Sequence, residues 1–216
     1  MSADVVGAVL AGGRGRRMGS DKLSLEVDGR TLIRHAVDAL RSAGLDVVLV
    51  LRPQQPVPLT AHTAAIVRDE VEDTGPLAGF QALLRWLSLE WALVVACDQP
   101  FLTGDLLRGL LAQRREEVDA IVCRPGDRVE PLPGLYRRST LEAVEAALAR
   151  GERSLRELLG SLRLRTVPAR TVRCWDPELI SFLNVNTPED LERARALVES
   201  AAERQRTVDM PLGHWR

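Results

Sequence analysis

LAGGRGRRMGSDK, residues 10–22, places four glycines and three arginines in thirteen positions and ends on a lysine. It continues directly from VVGAVLA, residues 5–11, an apolar run of the length of a buried strand. Glycines let backbone N–H groups approach a ligand with no Cβ in the way, and consecutive amides in such turns bind anions. The stretch therefore predicts a buried strand followed by a loop that binds a polyphosphate.

Beyond this loop, apolar runs of strand length alternate with stretches of helical periodicity. Strands are predicted at 46–51, 64–67, 91–97, 119–123, 164–167 and 180–185, with an edge strand at 131–137 because of its prolines. Helices are predicted at 32–43, 77–87, 105–115, 139–149, 154–162 and from 187 to about 203. This alternation predicts an α/β fold, a three-layer α/β/α sandwich around a mostly parallel sheet. We expect one domain over residues 1–203 and a mobile tail over 204–216.

Composition argues against several classes of partner. A net charge of −1 and 4% aromatic residues do not suit nucleic-acid binding. We also expect no membrane partner, since we find neither a signal peptide nor 18 consecutive apolar residues. The three cysteines form no CxxC pair, which is typical of free thiols in a reducing compartment. These features predict a cytoplasmic protein.

The glycine loop differs from two well-known phosphate-binding loops. It lacks the GxxxxGK[ST] spacing of a Walker A loop and the GxGxxG spacing of a dinucleotide fold. Its last residue, Lys22, is the only lysine among 29 basic residues. A lysine is a compact point charge that fits a tight phosphate pocket better than the wide arginine fork. A flexible turn with solvated arginines is the alternative interpretation.

Other candidate residues follow from the rule that ligands bind at the carboxyl ends of parallel strands. Asp98 follows the strand at 91–97 and is suited to bind Mg²⁺, although it is equally suited to cap a turn. Asp69 ends another strand and, taken alone, is an ordinary loop residue. GPLAG, residues 75–79, leads into a helix whose N-terminus faces the same crevice, with a packing turn as the alternative.

The segment NVNTPEDL, residues 184–191, contains a helix start that needs no further function. Thr187 is a predicted N-cap, with a proline after it and Asp190 at the capping-box position. Asn184 and Asn186 are different, because alternate residues of a strand share one face. The two amides are therefore candidates for contacts to a polar acceptor. Arg137, Arg138 and the stretch 126–131 are further candidates for acceptor contacts.

Taken together, these motifs resemble those of the molybdenum cofactor guanylyltransferases. LAGGRGRRMGSDK, GPLAG, ACDQP (96–100) and FLNVNTPEDL (182–191) occur in the family's order and span most of the chain. The resemblance implies a Rossmann-like fold of the nucleotidyltransferase type. It also implies that Asp69 contacts the nucleotide and that Asp98 binds the metal. The chain lacks, at Arg52, an asparagine that some relatives carry, which leaves that base contact open.

Residues and resemblance together predict a complete site. The predicted catalytic residues are Arg17, Lys22 and Asp98, with Asp98 as the Mg²⁺ ligand. The predicted nucleotide-binding residues are Leu10, Ala11, Gly12, Gly13, Lys22, Asp69, Gly75, Pro76, Gly79 and Asp98. The predicted acceptor-binding residues are Asn184 and Asn186.

The reaction implied by the resemblance is transfer of GMP from GTP to molybdopterin, the molybdenum cofactor, with release of pyrophosphate. Relatives that transfer cytidylate tend to carry aspartates in place of the two asparagines and LAAG in place of LAGG, so this chain favours guanylate. Other cofactor-synthesis proteins and molybdoenzymes are expected as partners. Two alternatives stay open: a cytidylyl- or other nucleotidyltransferase with a different phosphorylated acceptor, and a non-catalytic carrier of nucleotide or cofactor.

Overall fold

A sheet of seven strands organises the chain in a computed structural model that describes residues 4–11, 24–57, 65–69 and 75–208. The strands are β1 Val5–Leu10, β2 Glu26–Val27, β3 Arg30–Thr31, β4 Val47–Leu51, β5 Ala65–Arg68, β6 Trp91–Ala96, β7 Ala120–Arg124, β8 Glu130–Arg137 and β9 Leu164–Pro168. The helices are α1 Leu32–Ser42, α2 Pro76–Trp86, α3 Gly104–Leu111, α4 Leu141–Ala149, α5 Leu155–Leu158, α6 Ala169–Val172 and α7 Pro188–Val208.

The strand order in this sheet is β5-β4-β1-β6-β8-β7-β9. β1 lies between β4 and β6, parallel to both, with Gly7 opposite Val47 and Leu93. β8 runs antiparallel to both of its neighbours, β6 and β7. The remaining pairs, β4–β5 and β7–β9, are parallel. The prediction of a mostly parallel sheet is confirmed, and β5, β4, β1 and β6 all end at the same edge.

Helices cover both faces of the sheet, because the strands are apolar on both sides. Val5 and Val9 of β1 pack into a cluster with α1 and α3, whereas Val6 and Ala8 pack on the other face with α2, α4 and α5. Successive side chains of a strand point to opposite faces, which explains the division of one strand between two cores. The predicted three-layer α/β/α sandwich is confirmed.

The prediction that residues 131–137 form an edge strand is wrong, because β8 lies inside the sheet between β6 and β7. Its pairs with β6 begin at Gly134, opposite Val94. Its register with β7 shifts between Val122 and Cys123. Pro131 and Pro133 therefore lie where the ladder is interrupted, and they remove no hydrogen bond from its regular part.

The predicted strand at 180–185 is also wrong: Ile180–Phe182 is a 3₁₀ turn and irregular chain follows it. The Ser181 N–H donates to the Asp176 carboxylate at 2.9 Å, and the Ser181 hydroxyl donates to the Phe101 carbonyl at 3.1 Å. The Val185 N–H donates to the Asp98 carbonyl at 2.8 Å. These bonds satisfy backbone groups that a strand would have paired in a ladder.

Smaller differences between prediction and structure concern a short hairpin and the end of the last helix. The β2–β3 hairpin was not predicted, and α7 continues to Val208 instead of ending near 203. The hairpin packs with the start of α7 in a third apolar cluster that includes Val27, Leu32 and Leu191. Among the helices that the structure describes, none has the length and apolar character needed to cross a membrane.

Candidate functional site

A pocket of about 260 Å³ opens at the edge where β1, β4, β5 and β6 end. Seven residues predicted from the sequence line it: Leu10, Asp69, Gly75, Pro76, Gly79, Asp98 and Asn186. They come from five separate segments of the chain, so the sheet topology is what brings them together. This is the position that the rule for ligands in open α/β sheets predicts.

Asp98 is held at the carboxyl end of β6 by backbone contacts. The N–H of the preceding residue, Cys97, donates to the Leu10 carbonyl at 3.4 Å, and the Asp98 carbonyl accepts from Val185 at 2.8 Å. Cys97 is buried and lines the pocket beside it. Backbone bonds from two segments thus fix the residue that was predicted to bind metal.

Asp69 is positioned in a similar way at the carboxyl end of β5. Its N–H donates to the Leu51 carbonyl at 2.9 Å, which extends the β4–β5 ladder by one bond. Both Asp69 and Leu51 line the pocket. Asp69 therefore lies in the pocket wall. The alternative, that it is a loop residue away from the pocket, is not supported.

The turn at GPLAG both packs against a neighbouring segment and lines the pocket, so both interpretations of its sequence apply. Gly75 precedes α2 with φ 76°, and a Cβ on it would lie 2.7 Å from the Arg153 carbonyl oxygen. A side chain there is thus excluded by both backbone conformation and packing. Gly75, Pro76 and Gly79 also line the pocket, so the N-terminus of an eleven-residue helix lies at its wall. Such a terminus favours anionic ligands.

The structure separates the two asparagines that the sequence placed on one strand face. Both asparagines are exposed, but only Asn186 lines the pocket. The predicted capping box after them is confirmed. The N–H groups of Asn186 and Thr187 each donate to the Asp190 carboxylate at 2.9 Å, and the Asp190 N–H donates to the Thr187 hydroxyl at 3.2 Å. The bond from Asn186 is the main cause that lowers the pKa of Asp190.

The centre of the glycine loop lies outside the described residues, and with it Gly12, Gly13, Arg17 and Lys22. Their predicted roles stay predictions. Ala11, the residue before the loop, is buried, and its N–H donates to the Val50 carbonyl at 3.0 Å. Leu10, the neighbour of Ala11, lines the pocket, so the described end of β1 lies at its wall.

Arg52 and Leu132 are among the pocket residues that were not predicted as binding residues. Arg52 follows β4, and its Nε is buried with no hydrogen-bond partner within the described chain. The family resemblance had identified this position as a base contact that stayed open, because some relatives carry asparagine there. Leu132 lines the opposite side, near the start of β8, where its carbonyl accepts from the Gln99 amide at 3.2 Å. Only the reversed direction of β8 brings this residue to the pocket.

Because β8 runs antiparallel to its neighbours, Arg137 at its end lies away from the pocket. The structure therefore does not support the prediction that Arg137 contacts the acceptor. Arg137 ends β8 opposite Trp91, the first residue of β6. It binds Glu90 at 3.1 Å, and its guanidinium lies 4.9 Å from the centre of the Trp91 ring. Its neighbour Arg138 donates its N–H to the Glu90 carbonyl at 2.7 Å, at the same end of the sheet.

The donor set of the pocket fits Mg²⁺ bound together with a substrate. Across the described segments, no group of three or more His, Cys, Asp or Glu could enclose a metal. Asp98 and Asp69 supply carboxylates to the pocket wall. Mg²⁺ is usually held by one or two carboxylates together with substrate phosphates. Asp98, at the carboxyl end of a central strand, is suited to this arrangement.

Comparison with known proteins identifies the family. A model of the MobA-like NTP transferase domain matches residues 7–167. The molybdenum cofactor guanylyltransferase of Desulfosudis oleivorans is 34% identical over 91% of this chain and 96% of its own. A probable molybdenum cofactor guanylyltransferase of Opitutus terrae is 38% identical over 88% and 95%.

Solved structures agree with the sequence matches. Molybdopterin-guanine dinucleotide biosynthesis protein A from Archaeoglobus fulgidus superposes with a TM-score of 0.76 at 31% identity, over 90% of this chain and 98% of that one. The resemblance found in the four sequence motifs is thereby confirmed along nearly the whole chain. The chain belongs to the molybdenum cofactor guanylyltransferase family, among the MobA-like NTP transferases.

Proposed function

We propose that this protein transfers GMP from GTP to the molybdopterin form of the molybdenum cofactor, releasing pyrophosphate and forming the guanine dinucleotide cofactor. The observation that carries the proposal is the convergence of Leu10, Gly75, Asp98 and Asn186 on one pocket. Each comes from a different motif of the family. Relatives that match over most of the chain are named for this activity.

The reaction is an in-line displacement at the α-phosphorus of GTP. An oxygen of the acceptor's phosphate forms the new bond to this phosphorus, while the bond to the bridging oxygen of the β-phosphate breaks. That oxygen leaves with the electron pair as part of pyrophosphate. Such transfer depends on positioning and charge stabilisation more than on covalent catalysis by the protein. No step therefore needs a nucleophilic side chain.

The predicted roles of the side chains follow from this geometry. Asp98 would hold Mg²⁺, which offsets negative charge on the phosphate oxygens when bound. Asp69 and the N-terminus of α2 would border the nucleotide. Arg17, Lys22 and the backbone of Gly12 and Gly13 would bind the triphosphate; these assignments rest on the sequence motif. Their support from the structure is the position of Leu10, two residues before Gly12, in the pocket wall.

Asn184 and Asn186 remain the proposed acceptor contacts, with unequal structural support. Asn186 lines the pocket, whereas Asn184, two residues before it, does not. The acceptor is expected to enter from the side of Asn186 and Leu132, since the nucleotide motifs occupy the opposite wall. Contacts with other cofactor-synthesis proteins or molybdoenzymes, and a cytoplasmic location, stay predictions from the sequence.

Arg52 supports selection of guanine in particular. Guanine presents two adjacent acceptors, O6 and N7, which suit the paired donors of a guanidinium. Arg52 lies in the pocket wall and has a buried Nε without a partner among the described residues. Adenine presents an amino donor in place of O6, so the same guanidinium would bind it less well.

The test is pyrophosphate release by the purified protein with Mg²⁺ and molybdenum-loaded molybdopterin, comparing GTP, CTP, ATP and UTP. Turnover with GTP alone is the expected result. A preference for CTP would support the cytidylyltransferase alternative and leave the metal site in place. Binding of GTP without turnover, under conditions where a known guanylyltransferase is active, would favour a carrier or a different acceptor.

A further inference from the structure

Gln55 is a buried polar residue in the turn that follows β4. Its side chain is 6% exposed. Burial of an amide is costly unless both of its ends are hydrogen-bonded. Its Oε1 accepts from the Arg52 N–H at 3.1 Å, and its Nε2 donates to the Ala11 carbonyl at 3.1 Å. Because one partner is an N–H and the other a carbonyl, only one orientation of the amide satisfies both.

The two partners of this amide lie at functionally different places. Ala11 ends the segment from which the glycine loop departs, and Arg52 belongs to the pocket wall. The side chain of Gln55 thus connects the ends of β1 and β4 across 44 positions of sequence. The backbone bond from the Ala11 N–H to the Val50 carbonyl, at 3.0 Å, joins the same strand ends, and the Gln55 side chain extends this connection to Arg52, beyond the last residue of β4.

A third strand holds the turn itself. Nη1 of Arg68, the last residue of β5, lies 3.0 Å from each of the carbonyl oxygens of Arg52, Pro53 and Gln55. A guanidinium bound to several carbonyls makes charge-assisted hydrogen bonds, which are stronger than neutral ones. The Gln55 N–H also donates to the Arg52 carbonyl at 3.2 Å. The turn is therefore fixed to β5 next to Asp69, a further residue of the pocket.

We infer that Gln55 is a positioning residue for nucleotide binding, which holds the end of β1 at Ala11, next to the pocket residue Leu10, against the wall formed by Arg52. It acts through the Ala11 carbonyl and the Arg52 backbone and is not itself part of the pocket lining. The inference rests on the proposed function, because it takes GTP as the nucleotide. Loss of the Gln55 hydrogen bonds would release the end of β1 at Ala11 from the pocket wall at Arg52. Asp98 and Asn186 would keep their positions.

The decisive variant is Gln55→Glu. It conserves volume and the acceptor for the Arg52 N–H, but it directs a carboxylate oxygen at the Ala11 carbonyl. We expect KM for GTP to rise about tenfold, as for loss of one buried hydrogen bond with its partner left unsatisfied. We expect kcat and KM for molybdopterin to stay unchanged, measured well below the melting temperature. The exposed neighbour provides the matched control, since Gln54→Ala should alter none of these constants.

An unchanged KM for GTP in Gln55→Glu, or an equal rise in KM for both substrates, would overturn the inference. If Gln55→Glu does not fold, the same KM values are measured for Arg68→Met. For this variant we expect KM for GTP to rise about threefold. A wild-type protein that releases no pyrophosphate from GTP contradicts the proposed function alone. The variants are then compared by calorimetric binding of GTP, where an unweakened affinity would count against Gln55.

Discussion

The two ends of the central sheet use polar side chains in different ways. At the amino end of the parallel strands, charges neutralise each other. Asp119 binds Arg163 through both carboxylate oxygens, at 2.6 and 3.0 Å, and Arg137 binds Glu90 at 3.1 Å beside Trp91. These pairs join side chains to side chains, and they close that end of the sheet.

At the carboxyl end, polar side chains bind the backbone instead. Arg68 and Gln55 hold carbonyl groups, and Asp190 holds the N–H of Asn186. Their bonds shape the chain around a pocket whose wall includes Asp69 and Asp98. The comparison shows that a strand end serves as a binding site when the groups around it fix the backbone and leave acidic side chains at the pocket wall.

The largest expected effect is at Asp98. Asp98→Asn removes a negative charge from the pocket at nearly constant volume, and metal binding typically contributes several kcal/mol to charge stabilisation. We expect turnover to fall by about a thousandfold with an unchanged melting temperature. The matched variant Asp119→Asn, at the other end of the sheet, should retain full turnover. Equal turnover in the two variants would remove the functional difference between the two ends.

An intermediate effect is expected at Arg52. Arg52→Met retains much of the apolar stem but removes the donors, and one paired contact to guanine contributes about 1–3 kcal/mol of discrimination. KM for GTP should therefore rise by about ten- to a hundredfold, with a smaller change for ATP. Arg34→Met on α1, where Arg34 pairs with Asp38, is the control on the same molecule. Unaltered preference among the four nucleotides would exclude Arg52 from base selection.

The smallest effect is expected at Asp119, and it concerns stability. The side-chain hydrogen bond from Arg163 lowers the pKa of Asp119 in the folded state. The pair therefore stabilises the fold above the unfolded-state pKa of about 3.9, and this contribution is lost as pH falls through the lowered value. Asp119→Asn should lower the free energy of unfolding at pH 7 by about 0.2–1 kcal/mol.

Urea unfolding at several pH values measures this effect. The difference between wild type and Asp119→Asn should shrink as the pH falls from about 4 through the lowered folded-state pKa of Asp119, below which the carboxyl group is protonated in both states. A difference that is constant from neutral to acidic pH would show that the ion pair is not its cause. Activity at pH 7 serves as the internal control, since Asp119 lies far from the pocket along the strands.

Much of the fold was accessible from sequence because it depends on local patterns. Apolar runs such as Val47–Leu51 and Trp91–Ala96 form the buried strands that their composition predicts. The pocket was also located correctly, since its residues follow parallel strands. The capping box at Thr187 and Asp190 was predicted from spacing alone and is present.

The errors share a cause, which is that the deciding partner is distant in sequence. The segment 180–185 has the composition of a strand, but Asp98 and Phe101 bind it as irregular chain. β8 has prolines typical of an edge, but its register shift accommodates them inside the sheet. Gln55 appears in the sequence as an ordinary loop residue, and only its bond to Ala11 shows its importance.

The reversed strand β8 has a consequence for how such a protein can diversify. It marks a seam in the sheet: β5, β4, β1 and β6 lie on one side of it and carry the nucleotide motifs, and β7 and β9 lie on the other. Loops beyond the seam, beginning at residues 124–130, can vary in length or sequence without altering the backbone that binds the nucleotide. The part of the sheet beyond β8 can therefore change while the register of the strands that carry the nucleotide motifs stays the same.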